Sequence, residues 1–312
     1  MPLTEINTRF VFGDIHGEYD TLLNLLDKLN LRNSISSNIE LIFLGDLIDR
    51  GPQSAKVVEL VKSLCDKGYA RCILGNHEFN FVQFNTETEE KSGQYRRPRN
   101  NNNLSQIAET WASYKTFQYP EAKRKEHLEW MKTLPIAIEV DGLQMVHACW
   151  SQEHLNKFMY KEGSWFLSST DWEESWIKNT DVYERVETLC KGLEKALPKG
   201  ITFKDAGGKE REHVRVAWWN KEPTTWKEYI IARGIQWNTL PKNFEYTDHG
   251  LTPKKPTLFG HYWFTGKPHI INENVACLDY SVTSKKGVLC AYEWRVGDKQ
   301  LCNSRLHWCN KV

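Results

Sequence analysis

The chain has 312 residues, of which 40% are hydrophobic and 26% charged, so its composition is that of a globular protein and excludes a disordered chain. Lysine and arginine number 41 against 40 acidic residues, which gives a net charge of +1. With no excess of positive charge, we expect neither a nucleic-acid duplex nor a membrane as a partner. No apolar run is long enough for a transmembrane helix, no signal peptide is recognisable, and the eight cysteines form no Cys-x-x-Cys pair. These features predict a soluble cytoplasmic protein with reduced cysteines.

The first 80 residues alternate between apolar runs that predict strands and amphipathic runs that predict helices. Strands are predicted at 10–12, 39–44 and 71–74, and helices at 19–30 and 54–67. This alternation favours parallel strands joined by right-handed crossovers. Binding sites form at the carboxyl ends of such strands. At these ends lie three polar segments: Gly13-Asp14-Ile15-His16-Gly17, Gly45-Asp46-Leu47-Ile48-Asp49-Arg50-Gly51 and Gly75-Asn76-His77-Glu78.

The middle of the chain is harder to interpret. Residues 87–103 are polar, basic and rich in asparagine, which predicts an exposed loop. Residues 104–134 predict helical structure with a break near Pro120. A hairpin is predicted next, with strands at 136–140 and 143–146, a turn at Asp141-Gly142, and His147 directly after the second strand.

The β pattern returns after Pro256. A strand at 257–259 leads into Gly260 and His261, and two more strands are predicted at 274–280 and 287–294. We therefore expect an α/β fold, a two-layer mixed β-sandwich flanked by helices, formed by a single domain over residues 1–312. Residues 151–256 have mixed periodicity and predict a helical, tryptophan-rich insertion or cap within that domain.

The predicted strand ends present side chains that ligate metals. Asp14 and His16 lie two positions apart and can share one ion, and Asp46 can bridge two ions because a carboxylate has two oxygens. A lone histidine is more often structural, but a set of donors at neighbouring strand ends favours metal ligation. Carboxylate and imidazole together suit manganese, iron, zinc or nickel better than calcium, and do not distinguish these four. Two such cations can clamp the attacking and leaving oxygens of phosphoryl transfer. The candidate donors are Asp14, His16, Asp46, Asn76, His147 and His261.

Taken in order, the three glycine-bounded segments resemble the signature of the calcineurin-like metallophosphoesterases. Within that superfamily they are most similar to the branch of serine/threonine protein phosphatases and bacterial symmetrical diadenosine tetraphosphatases. The resemblance covers about residues 9–80, 136–150 and 256–294. It implies the α/β/β/α metallophosphoesterase fold and a site with two metal ions. One ion would be held by Asp14, His16 and Asp46, and the other by Asp46, Asn76, His147 and His261.

The resemblance and the residue chemistry give the same hypothesis for the mechanism: a metal-bridging hydroxide attacks phosphorus in line, and no covalent phosphoenzyme forms. His77 follows Asn76, so it can protonate the leaving-group oxygen while Asp49 orients its imidazole. Arg50 would hold the phosphate oxygens as a fork. By themselves, Asp49 and Arg50 could equally form a surface ion pair. Glu78 is expected to have a structural role or to support the ligands.

The chain is thus predicted to be a dinuclear metal-dependent phosphoric ester hydrolase acting on phosphate monoesters, either phosphoproteins or small aryl or alkyl phosphates. The segment around Asp279 resembles a Leu-Asp-Thr-Gly stretch of the tetraphosphatases, so hydrolysis of a dinucleoside tetraphosphate is one alternative. A protein that binds phosphorylated ligands without turnover is another. The presence of His77 argues against it, because a pure binder has no need of a general acid.

The insertion is where we expect substrate choice to be made. Its tryptophans could stack a nucleobase or a phosphotyrosine ring, or they could fill the core of an added layer. A second phosphate-binding arginine like that of the protein phosphatases is not recognisable. Arg211 and Arg215 are candidates for it, and a solvated basic face is an equal alternative. Eight of the 13 tryptophans fall in this region: 150, 165, 172, 176, 218, 219, 226 and 237.

Overall fold

A computed structural model describes residues 5–88, 93–204, 208, 210–232 and 234–312. Within these residues the strands are β1 (Thr8–Phe12), β2 (Ile39–Phe43), β3 (Ala70–Cys72), β4 (Ala137–Val140), β5 (Leu143–Val146), β6 (Met159–Lys161), β7 (Ser164–Phe166), β8 (Glu194–Ala196), β9 (Phe203–Lys204), β10 (Glu210–Arg211), β11 (His213–Val216), β12 (Ile230–Ile231), β13 (Thr257–Phe259), β14 (Val275–Cys277), β15 (Asp279–Tyr280), β16 (Val288–Arg295) and β17 (Leu306–Asn310). The α-helices are α1 (Tyr19–Lys28), α2 (Ser54–Asp66), α3 (Asn76–Asn85), α4 (Asn101–Tyr114), α5 (Pro120–Lys132), α6 (Gln152–Leu155), α7 (Ser169–Glu174), α8 (Asp181–Lys191) and α9 (Trp226–Tyr229).

Two six-stranded sheets form the centre of the molecule. In the first, the order β15-β16-β1-β2-β3 has β1, β2 and β3 parallel, and β17 pairs with β16. In the second, the order is β14-β13-β5-β4-β7-β6, with β13 parallel to both of its neighbours. The late stretch 275–280 supplies β14 to the second sheet and β15 to the first, so it joins the two layers.

Alternate residues of the central strands contribute to two different hydrophobic cores. Val11 and Ile42 of the first sheet share a buried core with Met145 and Leu258 of the second sheet. Phe12 points to the opposite face and belongs to another core, which includes residues of the helices. This is the alternation that a strand buried on both faces requires, because successive side chains point to opposite sides. The predicted two-layer sandwich with flanking helices is therefore confirmed.

Local sequence explains how several elements begin and turn. Asp141 and Gly142 both have positive φ, at 49° and 77°, which is the geometry of a two-residue hairpin turn between β4 and β5. Pro120 is the first residue of α5, where its missing N–H costs nothing. The predicted hairpin and the predicted helix break are both confirmed.

The asparagine run differs from its prediction. Residues 101–103 form the first turn of α4 and do not belong to an exposed loop. The Asn100 side chain caps this helix by accepting a hydrogen bond from the backbone N–H of Asn103. Asparagine is a favoured capping residue, and this role outweighs its weak preference for helix interiors.

The prediction of a helical insertion over 151–256 is incomplete. The region contains helices, but β6 and β7 extend the second sheet, and β8, β11 and β12 form a separate three-stranded sheet. That small sheet has a core of its own around Val214, Val216, Tyr229 and Ile230. These strands are two to four residues long, too short for a period of two to be recognised in the sequence. The division into a single domain with an inserted cap stays a prediction.

Most tryptophans of this region pack inside the protein. Trp150, Trp165, Trp172, Trp218 and Trp219 are buried. The rings of Trp218 and Trp219 pack on Phe259 at the end of β13, with centroid distances of 5.2 and 4.9 Å. The alternative in which these tryptophans fill a core is thereby supported. Among the helices that the structure describes, none has the length and apolar character needed to cross a bilayer.

The Trp219 side chain fastens the insertion to the main sandwich, so its removal should destabilise the fold. We expect Trp219→Ala to lower the free energy of unfolding by about 3–5 kcal/mol, the usual cost of truncating a buried tryptophan. Chemical denaturation followed by circular dichroism measures this. Trp237→Ala is the matched control, because Trp237 lies in the same region but is 37% exposed, and should cost less than about 1 kcal/mol. Equal losses for both variants would contradict the packing role of Trp219.

Candidate active site

The carboxyl ends of five strands meet at one edge of the sandwich. Glycines adjoin the polar residues there and allow the loops to approach each other closely. A Cβ on Gly45, for example, would lie 2.5 Å from the backbone nitrogen of Gly75. The structure brings all six predicted metal donors together at this edge, and all six are buried. They are Asp14 after β1, Asp46 after β2, Asn76 after β3, His147 after β5, His261 after β13, and His16 in the first loop.

The Asp46 carboxylate lies at the centre of this cluster. Its Oδ1 is 3.3 Å from Nε2 of His147, and its Oδ2 is 3.6 Å from Nε2 of His16. Two groups of potential metal ligands share it: one contains His147 and His261, and the other contains His16 and His77. The geometry therefore fits a bridging position for Asp46.

Backbone carbonyls fix the tautomers of two of the histidines. The Nδ1–H of His16 donates to the carbonyl of Ile48 at 2.9 Å, and the Nδ1–H of His147 donates to the carbonyl of Leu44 at 2.7 Å. A carbonyl can only accept, so the proton of each neutral ring is on Nδ1. Each Nε2 lone pair is then directed into the cluster, which is the orientation that metal ligation requires.

Several electron-rich atoms in the cluster face one another. Nε2 of His147 is 3.1 Å from Oδ1 of Asn76 as well as 3.3 Å from Asp46. The Asp46 carboxylate therefore favours positive charge at this Nε2, whether a proton or a metal ion: although burial lowers the pKa of His147, the carboxylate outweighs this and raises that pKa to about 10. Oδ2 of Asp46 and Nε2 of His261 are buried and have no hydrogen-bond partner among the described residues. Buried polar atoms in this state are costly, and a bound cation would satisfy them. The residues present thus fit a metal centre.

Asp14 lies at the rim of the cluster. One of its oxygens is 3.8 Å from Nε2 of His16, and its carboxylate accepts the backbone N–H of His261 at 3.2 Å. Gly260 makes this approach possible, since a Cβ at that position would lie 2.0 Å from Asp14 Oδ1. Burial raises the pKa of Asp14 well above its usual range. Asp14 and His16 lie close enough to act together, as their spacing predicts, although the group of potential ligands that contains His16 includes Asp46 and His77 and does not include Asp14.

His77 and Asp49 form a buried pair beside the cluster. Nδ1 of His77 lies 2.6 Å from Oδ2 of Asp49, so the ring donates this proton to the carboxylate. Its Nε2 faces the cluster, 3.8 Å from Oδ2 of Asp46. Asp49 is 1% exposed, which excludes the alternative of a surface ion pair with Arg50.

Arg50 covers the cluster from the solvent side. Its two terminal nitrogens donate to Nε2 of His16 at 3.0 Å and to Nε2 of His77 at 3.2 Å. Its guanidinium lies 4.0 Å from the ring centroid of Trp263, a cation–π contact. The guanidinium is therefore within reach of any anion bound at the cluster.

Glu78 has a structural role. Its carboxylate accepts the backbone N–H groups of Asp46 and Leu47, both at 2.8 Å, and of Gly75 at 3.2 Å. It thus ties the loop after β2 to the first turn of α3. Burial raises the pKa of Glu78 to about 7.

The backbone around the site is held in an unfavourable conformation. Left-handed φ angles cost about 1–2 kcal/mol each for residues other than glycine, and such strain concentrates at functional sites. Of the twelve non-glycine residues with positive φ in the described part of the chain, six lie here: His16, Asp46, Asp49, Arg50, His261 and Trp263.

A cavity of about 1120 Å³ opens over the cluster. Arg211 and Arg215, the two candidates for a second phosphate contact, both line it, and Arg215 also donates to the backbone carbonyl of His261 at 3.2 Å. Trp263, outside the predicted insertion, is the one tryptophan found in the lining formed by the described residues. The stacking role that the sequence suggested for the tryptophans of the insertion therefore has no support in this lining.

Sequence reasoning missed several residues that hold the site in place. Gln106 and Thr110 of α4 contact His77 and Asp49, at 3.3 and 2.6 Å. Asp279 accepts the backbone N–H of Trp263 at 2.6 Å and so fixes the loop after β13. A polar stripe at i, i+4 and i+7 of α4, formed by Gln106, Thr110 and Ser113, is the sequence signal that could have indicated the first two.

A sequence profile described as calcineurin-like phosphoesterase matches residues 9–261. The chain belongs to this family. The zinc-dependent endopolyphosphatase of Saccharomyces cerevisiae is 43% identical over 77 residues, which are 24% of this chain and 22% of that protein. The symmetrical bis(5'-nucleosyl)-tetraphosphatase of Vibrio campbellii is 30% identical over 139 residues, 45% of this chain and 43% of that protein. The chain thus spans less than half the length of these relatives.

A solved structure shows the same fold. A protein serine/threonine phosphatase from Saccharomyces cerevisiae superposes with a TM-score of 0.53 at 15% identity, covering 99% of this chain and 81% of that chain. These comparisons confirm the predicted family and fold, and membership of a phosphoesterase family supports the predicted class of enzyme, a phosphoric ester hydrolase. The roles of the individual residues stay predictions.

The Glu78 carboxylate holds two loops of this phosphoesterase together, so a change in its acceptor capacity should loosen them. In Glu78→Gln, one acceptor oxygen becomes an NH₂ group that faces backbone N–H donors. We expect a loss of about 1–3 kcal/mol in the free energy of unfolding, the cost of a buried donor left without an acceptor. Urea denaturation measures the loss. Glu109→Gln, at an exposed position of α4, is the control and should be neutral. An unchanged stability of Glu78→Gln would contradict this role.

Proposed function

We propose that this calcineurin-like phosphoesterase is a metal-dependent phosphatase that hydrolyses phosphate monoesters. The observation that carries the proposal is the buried His77–Asp49 pair, placed beside Arg50 at the edge of the Asp46 cluster. Hydrolysis of an ester requires a proton for the leaving oxygen, and His77 can supply it. A binding protein has no use for such a pair, and membership of a phosphoesterase family also disfavours that alternative.

The six donors are proposed to hold two metal ions, with Asp46 between them. When bound, divalent cations polarise the phosphoryl group and offset its negative charge. Manganese, iron, zinc and nickel all suit these oxygen and nitrogen donors. Because the yeast relative is named zinc-dependent, zinc is the first metal to test.

His77 and Arg50 are proposed to have separate roles, proton donation and phosphate binding. The Asp49 carboxylate accepts the Nδ1 proton and stabilises the doubly protonated ring, which then gives its Nε2 proton to the leaving oxygen. Arg50 donates two N–H groups to the phosphate oxygens. A protonated Nε2 can no longer accept a hydrogen bond from Arg50. Protonation of His77 therefore releases one arm of Arg50 toward the substrate. In-line attack without a phosphoenzyme stays a prediction.

The charge of the cavity supports a monoester over a long polyphosphate. Among the residues that the structure describes, five lysine and arginine side chains and four glutamates line it, so this part of its wall is close to neutral. A chain of several phosphates would lie against these carboxylates at an electrostatic cost. A single phosphate needs little more than Arg50 and the metal ions, while a mixed wall suits a phosphoprotein segment or a small organic phosphate. The cationic residues are Arg50, Arg97, Lys191, Arg211 and Arg215, and the glutamates are Glu187, Glu194, Glu210 and Glu212.

Symmetrical hydrolysis of a dinucleoside tetraphosphate is the second candidate. The name of the Vibrio campbellii relative supports it, and so does a cavity larger than one phosphate requires. The segment that first suggested this activity gives less support, because the Asp279 carboxylate is occupied by the backbone N–H groups of Trp263 and Ser281. A phosphorylated substrate as the partner and a cytoplasmic location stay predictions.

Removal of the proposed general acid should leave the metal centre intact but slow turnover. We expect His77→Asn to lower kcat for phenyl phosphate, whose poor leaving group needs a proton, by about 10²–10⁴-fold, the usual contribution of a general acid, with the metal content unchanged. Asp46→Asn should lose both bound metal and activity. Steady-state kinetics and elemental analysis of the purified proteins measure these outcomes. His269→Asn, at an exposed site, is the control. Undiminished turnover in His77→Asn would rule out the acid role.

The two substrate classes can be distinguished by comparing the rates at which the protein hydrolyses them. We expect the ratio kcat/KM to be higher for a phosphopeptide or an aryl phosphate than for diadenosine tetraphosphate, because of the glutamates in the cavity. Chromatographic analysis of the products measures both rates with the same metal. Faster conversion of diadenosine tetraphosphate into two molecules of ADP would support the second candidate and contradict the first.

A further inference from the structure

Helix α4 places a hydroxyl group against the pair that we propose to deliver the proton. The Thr110 side chain is fully buried and makes two hydrogen bonds to Asp49. It accepts the backbone N–H of Asp49 at 2.9 Å, and it donates its own proton to Asp49 Oδ1 at 2.6 Å. Oδ2 of the same carboxylate holds His77. Each oxygen of Asp49 therefore has one defined partner.

The backbone of Asp49 makes such a support necessary. Asp49 and Arg50 are consecutive residues with φ of 68° and 66°, a conformation that side chains other than glycine disfavour. Apart from Thr110, the Asp49 N–H also contacts the Ser54 hydroxyl, at 3.1 Å. The hydroxyl of Thr110 is thus the group that fixes both the strained backbone and the carboxylate.

Other contacts hold Thr110 itself in position. Ser113 donates to the backbone carbonyl of Thr110 at 2.6 Å and accepts the N–H of Ala55 from α2 at 3.0 Å. On the same face of α4, the Gln106 amide lies 3.3 Å from Nδ1 of His77 and accepts from Arg97 at 2.8 Å. The helix is thereby fastened on both sides of the Asp49–His77 pair.

We propose that Thr110 is a positioning residue for proton transfer: its hydroxyl fixes the Asp49 carboxylate in the orientation that directs Nε2 of His77 toward the leaving-group oxygen. Thr110 does not reach the cavity, so it touches neither substrate nor metal. The inference rests on the proposed function as far as turnover is concerned. The hydrogen bond that it predicts between Asp49 and His77 exists in the protein without substrate.

The first test is a series of aryl phosphates with leaving groups from phenol to p-nitrophenol. The departure of a poor leaving group depends most on its protonation. Thr110→Val should therefore lower kcat by about 10–100-fold for phenyl phosphate, but by less than about 3-fold for p-nitrophenyl phosphate. KM should stay within about 2-fold of wild type, because uniform binding is unchanged. Thr110→Ser keeps the hydroxyl and should restore the wild-type dependence on the leaving group.

Thr257→Val is the matched control. Thr257 is also fully buried and its hydroxyl contacts Gln144 at 3.1 Å, but it lies at the start of β13, away from the site. This variant should lose stability without any change across the leaving-group series. An equal fall of kcat for all leaving groups in Thr110→Val, or a failure of Thr110→Ser to restore kcat, would overturn the inference.

A second readout does not need turnover. The Nδ1 proton of His77, shared with a buried carboxylate, should give a proton NMR signal downfield of the amide region that is missing in His77→Asn. We expect this signal to shift upfield or broaden in Thr110→Val and to persist in Thr110→Ser and Thr257→Val. If wild type hydrolyses no aryl phosphate, the proposed function fails, and this signal still decides the role of Thr110. An unmoved signal in Thr110→Val would reject it.

Discussion

The burial of the Asp46 carboxylate among histidine nitrogens is the constraint on which the other features of the site depend. A carboxylate removed from water needs compensating positive charge, and the Nε2 atoms of His147, His16 and His77 lie at 3.3 to 3.8 Å from it, so that a cation bound between them would supply that charge. Gly45 and Gly75 allow the loops to approach closely enough for this arrangement, and the backbone bonds to Glu78 keep them there. The strained φ angles of the neighbouring residues persist because the surrounding contacts determine them.

Much of the site could be predicted because its residues are local in sequence and adjoin regular strands. Asp14, Asp46 and Asn76 each follow a short apolar run that ends at glycine, and parallel strands place such ends at one edge. His147 and His261 follow the same rule in the second sheet. The sandwich itself was predictable, because the apolar runs that form β1, β2, β5 and β13, together with the order of the elements, leave few topologies.

The remaining parts could not be predicted, because they depend on contacts between segments distant in sequence. Thr110 is an ordinary polar residue of a helix until α4 packs against the loop that contains Asp49, 61 positions earlier. Asp279 resembled a substrate-binding motif, yet in the fold it binds backbone N–H groups. The asparagine run was predicted wrongly for a local reason. Asparagine is common both in loops and at helix N-caps, and the turn of α4 that follows makes this run a helix start.

The hydrogen bond from His261 to Asp14 joins residues 247 positions apart. During synthesis the three loops that contain Asp14, Asp46 and Asn76 are complete long before His147 and His261 exist. Contacts of such long range form late in folding, because the chain entropy of the intervening loop must first be overcome. Four of the six donors, those in the three early loops, therefore stay open to solvent until the second sheet joins them, with their carboxylates hydrated. The proposed cation site is complete only when His147 and His261 have joined the other donors, so cation binding there would report that the two sheets have closed on each other.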